Sequence, residues 1–567
     1  MAESKLQRYH KLLGQLALER SSWEQHWREV AEHVLPRRIR LDSSTRNRGE
    51  KVNQKILNGT ATKALRTMRS GLQSGITSPA RPWFKMSSGD PELDKTHAVK
   101  EWLETVTSMI ASEFARSNLY TQLPNAYSDL GAFGTAAFSL EESDSNDPSV
   151  PLLRAYSFPV GSYYVGLDAQ LKPATFARKF TMTVRQIMEK YGRPEKPEAG
   201  EVADVNRVSA KVRAAWEMGQ YETPVEVVHI ITPNYEYDER YAALNGKHRR
   251  FASCLYEVGQ DAQFLDEDGF HEFPIVVARW DVTGEDVYGT SPAMDALGDI
   301  KSLQVMERKS AQAVEKMLNP PLMGPSALRQ QKVSLISGDI TYLDVREGMA
   351  GLRPVHEVKF DLVAADTRIA RFEERIRSAF FEDLFLMIAN EDRSGVTATE
   401  IAARQQEKLL ALGPVLERLN DEGLDPMVER SFAIMDRRQM FPPRPEQLLN
   451  RRIKPEYTSI MAQAQKLAGI GNVERFVGFI GSLSEAHPEV GDVPDWSRIV
   501  RAYADMVGVP ASDLRSEDEV EAMQAERAQA QQQAQRTAML EQAASGAKLL
   551  SETDTSRPSA LTAMLGS

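Results

Sequence analysis

Apolar residues along the chain follow two different periods, and the change between them divides it into regions. Leu6, Tyr9, Leu12, Leu13 and Leu16 recur every three or four positions, and Trp23, Trp27, Val30 and Val34 repeat the pattern before Pro36. This spacing predicts two amphipathic helices at the start. Helical spacing returns over 58–73 and over 98–140. SPARPWF separates these stretches, because its two prolines cannot continue a helix; Trp83 and Phe84 are expected to anchor that turn in a core. From 151 to 290 the pattern changes. YYVGLDAQ, ATFARKFTMT, VEVVHIIT, RRFASCLYEV and FPIVVARW concentrate β-branched and aromatic residues and predict a β-containing module.

A long helix is predicted from Pro292 to Leu318, on Leu297, Ile300, Leu303, Val314 and Met317, with NPPLMGPS ending it. VSLI and ITYLDV, with the turn REGMAG, read as short strands inside 319–358, a region too small to be an independent domain. From Asp361 onward, Ile369, Phe372, Ile376, Phe380, Leu384 and Met387 form one continuous apolar stripe. The polar stretch NEDRSGVTATE follows, in which Thr397 and Glu400 have the spacing of a capping box that opens another helix. Gly413 and Pro414 predict a kink in that helix, Gly423 its end, and Asp425-Pro426 the start of the next. Beyond 455 the chain reads as helices and loops, and EDEVEAMQAERAQAQQQAQRTAMLEQAA joins good helix formers to a weak apolar stripe.

Composition narrows the function. At 567 residues with 42% hydrophobic side chains, the chain can fill several cores. Its 80 acidic residues outnumber 69 basic ones, giving a net charge of -11, the wrong sign for a protein whose affinity rests on neutralising phosphates. The basic segment PRRIRLDSSTRNRGEKVNQK, 36–55, lacks interleaved aromatics and reads as a solvated loop rather than a nucleic-acid contact. A single cysteine, Cys254, excludes an internal disulfide framework and a cysteine-clustered zinc site; it fits a reducing compartment and is expected to be buried and inert. The N-terminus lacks the apolar core of a signal peptide, and no uncharged run approaches the roughly 18 residues of a spanning helix, so the chain reads as soluble and cytoplasmic with no membrane partner.

Familiar chemistry is missing from the sequence. It contains no GxxxxGK[ST] phosphate cradle, no HExxH and no GxSxG, and its nine histidines lack metal-ligand spacing. The expectation is therefore a protein that is not an enzyme, with no catalytic residue, metal or cofactor. Glu391 and Asp392 are adjacent acids beside Arg393 and read as solvated rather than as a metal pair.

Five stretches, in this order, resemble one family. They are SSWEQHWREVAEHVLP, GLQSGITSPARPWF, FPIVVARW with VYGTSPAMDALGDIKSLQ, the PPL after the first long helix, and TATEIAARQQEKLLALGPVLERL. Together, over about Ser21 to Pro443, they are similar to the head-to-tail connecting, or portal, proteins of T7-like short-tailed bacteriophages. The resemblance implies an α+β, predominantly helical portal fold with wing, stem, clip and crown. Such chains assemble as a ring, usually of twelve, at one capsid vertex, and DNA is packaged, retained and ejected through its channel.

Laid on this chain, the resemblance makes 1–290 the wing region, helical and then β-containing. It makes 291–318 the first stem helix, 319–358 the clip, 359–389 the second stem helix and 390–396 the tunnel loop. Residues 397–453 become a kinked wing helix and the helix after it, and 454–567 a helical crown and C-terminal tail. Asn390, Glu391, Asp392, Arg393, Ser394 and Gly395 would line the DNA channel, where a polar, mobile loop suits passage and Arg393 would touch phosphates transiently. In the clip, Arg329, Gln330, Gln331, Lys332, Arg346 and Glu347 would face the packaging motor first and the tail adaptor later. Ile369, Phe372, Ile376, Phe380 and Leu384 would pack the stem, and Gly413 and Pro414 would kink the wing helix.

The partners implied are other copies of the chain in a dodecamer, the terminase large subunit that hydrolyses ATP, and the major capsid and scaffolding proteins. A tail adaptor and double-stranded DNA in weak nonspecific contact complete the set. The location implied is the virion vertex, with the host cytoplasm during assembly. Two alternatives stand beside this reading: a metal-dependent nucleic-acid-processing enzyme using Glu391 and Asp392, and an oligomeric scaffold or adaptor.

Overall fold

Ser4 starts the first helix with a capping box: its hydroxyl accepts from Gln7 N at 3.2 Å while its own N–H donates to Gln7 Oε1 at 3.1 Å. The computed structural model describes residues 4–41, 52–143, 149–192, 207–242, 244–259, 263–324, 353–355, 361–389, 412–449, 451–457, 473–483, 493–507 and 517–552, with isolated positions between them. Helix α1 runs unbroken over Lys5–His33, so the two helices predicted from the apolar pattern are one. Ser21 and Ser22, at the presumed seam, return their hydroxyls to Leu18 O at 2.6 Å and Glu19 O at 3.1 Å and leave the helix intact. Arg20 is buried there. It lies 3.8 Å over the Tyr164 ring, donates to Gly161 O and Tyr163 O, and pairs with Glu24 at 2.8 Å.

The chain forms two compact units. The first comprises Met1–Lys85, Thr107–Phe441 and Lys454–Ala464; the second comprises Met86–Val106, Pro442–Ile453 and Gln465–Ser567. After α1 come α2 (Thr60–Gly75), β1 (Phe84–Ser87), α3 (His97–Arg116), α4 (Leu119–Phe133), β2 (Thr135–Glu142), β3 (Leu153–Phe158), β4 (Tyr163–Leu167) and β5 (Pro173–Thr183). Then follow α5 (Val184–Tyr191), α6 (Ala210–Glu217), β6 (Pro224–Pro233), α7 (Glu239–Ala242), β7 (Phe251–Glu257), β8 (Asp266–Phe270) and β9 (Ile275–Arg279). Beyond these lie α8 (Pro292–Asp295), α9 (Leu297–Leu318), the two-residue strands β10 (Leu322–Met323) and β11 (Arg353–Pro354), α10 (Leu362–Ala379), α11 (Glu382–Ala389), the helix Asp425–Arg437 and β12 (Lys454–Tyr457).

The helical reading of 98–140 fails at its end, because 135–142 is a strand. Gly134 closes α4 at φ +73°, and its backbone lies so close to Gly289 that a side chain there has no room. The chain leaves that turn as β2, the centre of an antiparallel sheet ordered β3-β2-β9, in which Ala137 faces Phe158 on one side and Val277 on the other. The free edge of β3 is covered by side chains. Glu113 Oε1 accepts from Leu152 N at 2.5 Å, Asn118 Oδ1 from Ala155 N at 2.8 Å and Gln122 Oε1 from Ser157 N at 3.3 Å. These acceptors occupy N–H groups that an incoming strand would need.

The larger sheet is a consecutive antiparallel meander, β4-β5-β6-β7-β8. Alternation decides its two covers. Leu6 and Leu16 of α1 pack with Tyr164, Ala177, Val228, Ile230 and Tyr256 on one face. Val184 and Ile187 of α5 and Val212 of α6 pack with Val227 and Leu255 on the other. Cys254 is fully buried on β7, where burial pushes its thiol up to about 11.

Arg38 departs from the solvated-loop reading of the basic segment. It bonds Asp129 of α4, a fully buried carboxylate that requires a partner, and donates to Ser157 Oγ at 2.9 Å. Trp83 is buried as expected, stacked on Phe114 with centroids 6.1 Å apart and donating from Nε1 to Tyr120 Oη at 3.1 Å.

In the second unit, Trp102 of α3 donates from Nε1 to Pro442 O at 3.0 Å. The unit continues through the helices Trp496–Val507 and Glu517–Glu552, and Tyr503 Oη bonds Glu474 at 2.9 Å.

Candidate functional site

Asn58 ties together the elements that position the two long helices of the first unit. Its Oδ1 accepts from Thr60 N at 2.9 Å and Thr60 Oγ1 at 2.7 Å, an Asx-type turn that leads into α2. Its Nδ2 donates at 2.8 Å to Glu307 Oε1 on α9 and at 2.8 Å to Glu373 Oε1 on α10. Gln304, one turn before Glu307 and 4% exposed, binds the backbone of the same segment. Its Oε1 accepts from Leu57 N at 2.7 Å and Asn58 N at 2.9 Å, and its Nε2 donates to Asn58 O at 2.8 Å. One short segment therefore fixes α9 against α10 with bonds to both.

Charged pairs extend the junction. Arg375 on α10 meets Asp299 on α9 at 3.0 Å, and Arg377 meets Glu373 at 3.3 Å and Glu382 at 3.6 Å. Lys301 bonds Glu29 on α1, which holds the Glu29 carboxyl below its ordinary range. A polar groove of about 650 Å³ opens here, lined in part by Asn58, Lys63, Glu307, Glu373, Arg377 and Asp383.

The apolar side of α10 and α11 completes the site. Ile376 and Phe380 are fully buried and Leu384 nearly so, while Ile369 and Phe372 are half-buried. The stripe does not lie on one helix. α10 ends at Ala379, Phe381 takes φ +54°, and α11 starts afresh at Glu382. A left-handed phenylalanine is costly; here the break turns Phe385 into a notch at Gly71 of α2 that no larger residue would leave open. The stretch 292–318 is likewise two helices, α8 capped by Ser291 Oγ on Met294 N at 3.1 Å, and α9 starting after Ala296.

Asn390, Glu391, Asp392, Arg393, Ser394 and Gly395 lie outside the described residues. So do Arg329, Gln330, Gln331, Lys332, Arg346 and Glu347, and the capping pair Thr397 and Glu400. Gly413 is half-buried and Pro414 exposed in a helical stretch that is described from Leu412 onward; the part of that helix before them is outside the described residues. Gly423 does not end a helix. It sits in a π-helical turn, Asn420–Leu424, that runs directly into Asp425–Arg437. The wider turn presents Glu422 to buried Arg279 of β9, whose Nε and backbone N donate to Glu422 Oε2 at 3.0 and 3.1 Å.

Among the described residues no group of three or more His, Cys, Asp or Glu could hold a metal, and no helix is long and apolar enough to cross a membrane. Sequence reasoning missed Asn58, Gln304, Glu307 and Glu373. Asn58-Gly59-Thr60 carries a helix-start signal, but its partners on α9 and α10 are far along the chain. Replacing Asn58 with alanine is expected to lower unfolding free energy by about 2–3 kcal/mol, because Glu307 and Glu373 lose their shared donor; urea unfolding measures it, and a change below about 0.5 kcal/mol would mean that the clamp carries no net energy.

The paired long helices, the meander beside them and the order of motifs define a class. A family model described as bacteriophage head to tail connecting protein matches residues 6–514, and the chain belongs to that family. Within it, the chain is similar to portal proteins. It is 42% identical over 566 residues to the "Portal protein" of Salmonella phage epsilon15, covering 100% of this chain and 98% of that one. It is 38% identical over 551 residues to the "Probable portal protein" of Bordetella phage BPP-1, covering 97% and 96%. Its role is that of a bacteriophage head-to-tail connector, a virion component.

Proposed function

We propose that twelve copies of the chain close into a ring at one capsid vertex, with α9 and α10 as its stem and residues 319–358 as its clip. The observation that carries this reading is the clamped pair α9 and α10, which keeps apolar side chains exposed in the single chain. Val305, Met317 and Leu318 on α9 and Leu362 and Val363 on α10 are all exposed. A ring of heterologous contacts gives each copy a neighbour on both sides to cover such surfaces. The wing is then the first 290 residues, and the crown and tail begin at 454.

The loop 390–396 continues from α11 and faces the channel in this reading, with Arg393 as its transient phosphate contact. Twelve chains of charge -11 carry about -132, a field that keeps duplex DNA from adhering and favours sliding. The clip residues receive the terminase during packaging and the tail adaptor afterwards, and the capsid and scaffolding proteins hold the ring during assembly in the host cytoplasm. Chemistry stays with the terminase.

Electron microscopy of the purified protein, with native mass, tests the ring. Twelve chains of 63.5 kDa give about 762 kDa and an open central channel; monomers at every salt and concentration would overturn the proposal. Deleting residues 390–395 is expected to leave rings intact while packaging or retention of DNA fails. A deletion that prevents ring formation would contradict the channel placement.

A further inference from the structure

The face of the larger sheet opposite α1 is covered at two places, with a polar cluster between them. At one end Phe158 of β3 packs on Phe176 of β5, centroids 5.0 Å apart; at the other α5 and α6 cover Val227 and Leu255. In the gap, strand register sets Arg178 of β5 opposite His229 of β6, and His229 Nε2 lies 2.9 Å from Ser253 Oγ on β7. All three side chains are half-buried. Lys190, exposed in the last turn of α5, adds a second positive charge. Burial, with the charges of Arg178 and Lys190, pushes the His229 imidazole down to about 3.

Arg178 is held by rings and not by a counter-ion. Its guanidinium carbon lies 5.1 Å from the Phe158 centroid and 4.4 Å from that of Phe180. Its Nε is buried without a hydrogen-bond partner, and among the described residues no carboxylate pairs with it. Glu141, Tyr156 and Tyr191 are the other titratable groups acting on it, and none of them forms a bond to it. The fully buried arginines described in this unit, Arg20, Arg279 and Arg430, each meet a glutamate. A guanidinium stacked between two rings has only its outer N–H groups left to offer, and that fork matches the paired oxygens of a carboxylate or phosphate.

We propose that this cluster binds an oxyanion, with Arg178 as the principal receptor and Ser253 and Lys190 as supporting donors. A carboxylate and a phosphate share the required chemistry, and the experiment separates them. Full-length protein is melted in sodium phosphate, sodium acetate and sodium chloride at matched ionic strength, beside Arg178→Met, which keeps the long stem between the two rings. At least one of phosphate and acetate raises the melting temperature saturably in the wild type, and Arg178→Met weakens that response by about tenfold or more. A response to phosphate alone assigns a phosphate ligand, and a response to acetate alone assigns a carboxylate. General salt effects do not saturate and are shared by the variant.

Labelled-histidine NMR supplies a second readout, with His229→Gln assigning the resonance. Anion binding shifts the His229 signal in the wild type and not in Arg178→Met. If Arg178→Met does not fold, Ser253→Ala takes its place and weakens the same saturable response. The proposal is overturned if neither anion gives a saturable response, or if the variants respond as the wild type does.

Discussion

Ile376→Asp unfolds the first unit or leaves it without a cooperative transition. Ile376 is fully buried on α10, in the turn that leads to Phe380 and the break at Phe381. Truncating a side chain there loses about 2–5 kcal/mol through transfer and cavity energy. The new carboxylate adds the cost of a buried unpaired charge, or of the proton uptake that relieves it. The sum rivals the whole stability of a typical domain, about 5–15 kcal/mol. Phe380→Asp follows the same course. Ala370→Asp, on the exposed side of the same helix, is the control and costs about 1 kcal/mol, from helix propensity and from the acids Asp366 and Glu374 one turn away. Urea unfolding and soluble yield measure all three, and an Ile376→Asp protein as stable as the control would mean that the α10 packing is wrong.

The contrast between those two positions is what sequence periodicity can read. A three-and-four spacing put Ile376 and Phe380 inside, because burial on a helix repeats with the helix itself. The β-containing module was legible in its β-branched and aromatic residues, whereas its order as a meander and its two covers, α1 on one face and α5 on the other, were not. What escaped depends on contacts that are distant in sequence. Thr135 to Leu140 reads as helix until Gly134 is seen pressed against Gly289, and the segment Lys5 to His33 reads as two helices until Arg20 is seen bonded to Gly161 and Tyr163. The break at Phe381 is of this kind too, because the notch it serves belongs to Gly71 on α2.

The candidate site divides in the same way. Its apolar residues announced themselves by spacing, while Asn58, Gln304, Glu307 and Glu373 are four polar residues with no shared pattern. They matter because two helices and a turn bring them together, so a clamp of this sort shows only in three dimensions. The basic segment was read by its composition as solvated, yet Arg38 bonds a carboxylate buried in α4, a partner that local composition cannot reveal.

Glu422→Ala has the second large effect. Arg279 and Glu422 are 5% and 12% exposed, and Arg279 also donates to Asp286 O at 3.0 Å and Leu171 O at 2.9 Å. Those carbonyls remain when the glutamate is removed, but the charge loses its counter-ion inside the protein. Breaking one side of a buried pair costs about 3–5 kcal/mol, much more than the intact pair contributes over an apolar replacement. Three variants separate these effects. Glu422→Ala loses the full amount; Glu422→Gln keeps the shape and an acceptor and loses less; and Arg279→Met combined with Glu422→Leu recovers most of the stability, because neither charge is then stranded. With the single variants Arg279→Met and Glu422→Leu added, the unfolding free energies form a double-mutant cycle whose coupling should exceed about 2 kcal/mol. The π turn depends on the same pair, since Glu422 lies inside it and the helix Asp425–Arg437 continues from it without a gap. A coupling near zero would show that the turn holds its shape without Arg279, and that the wider geometry at Asn420–Leu424 has another cause.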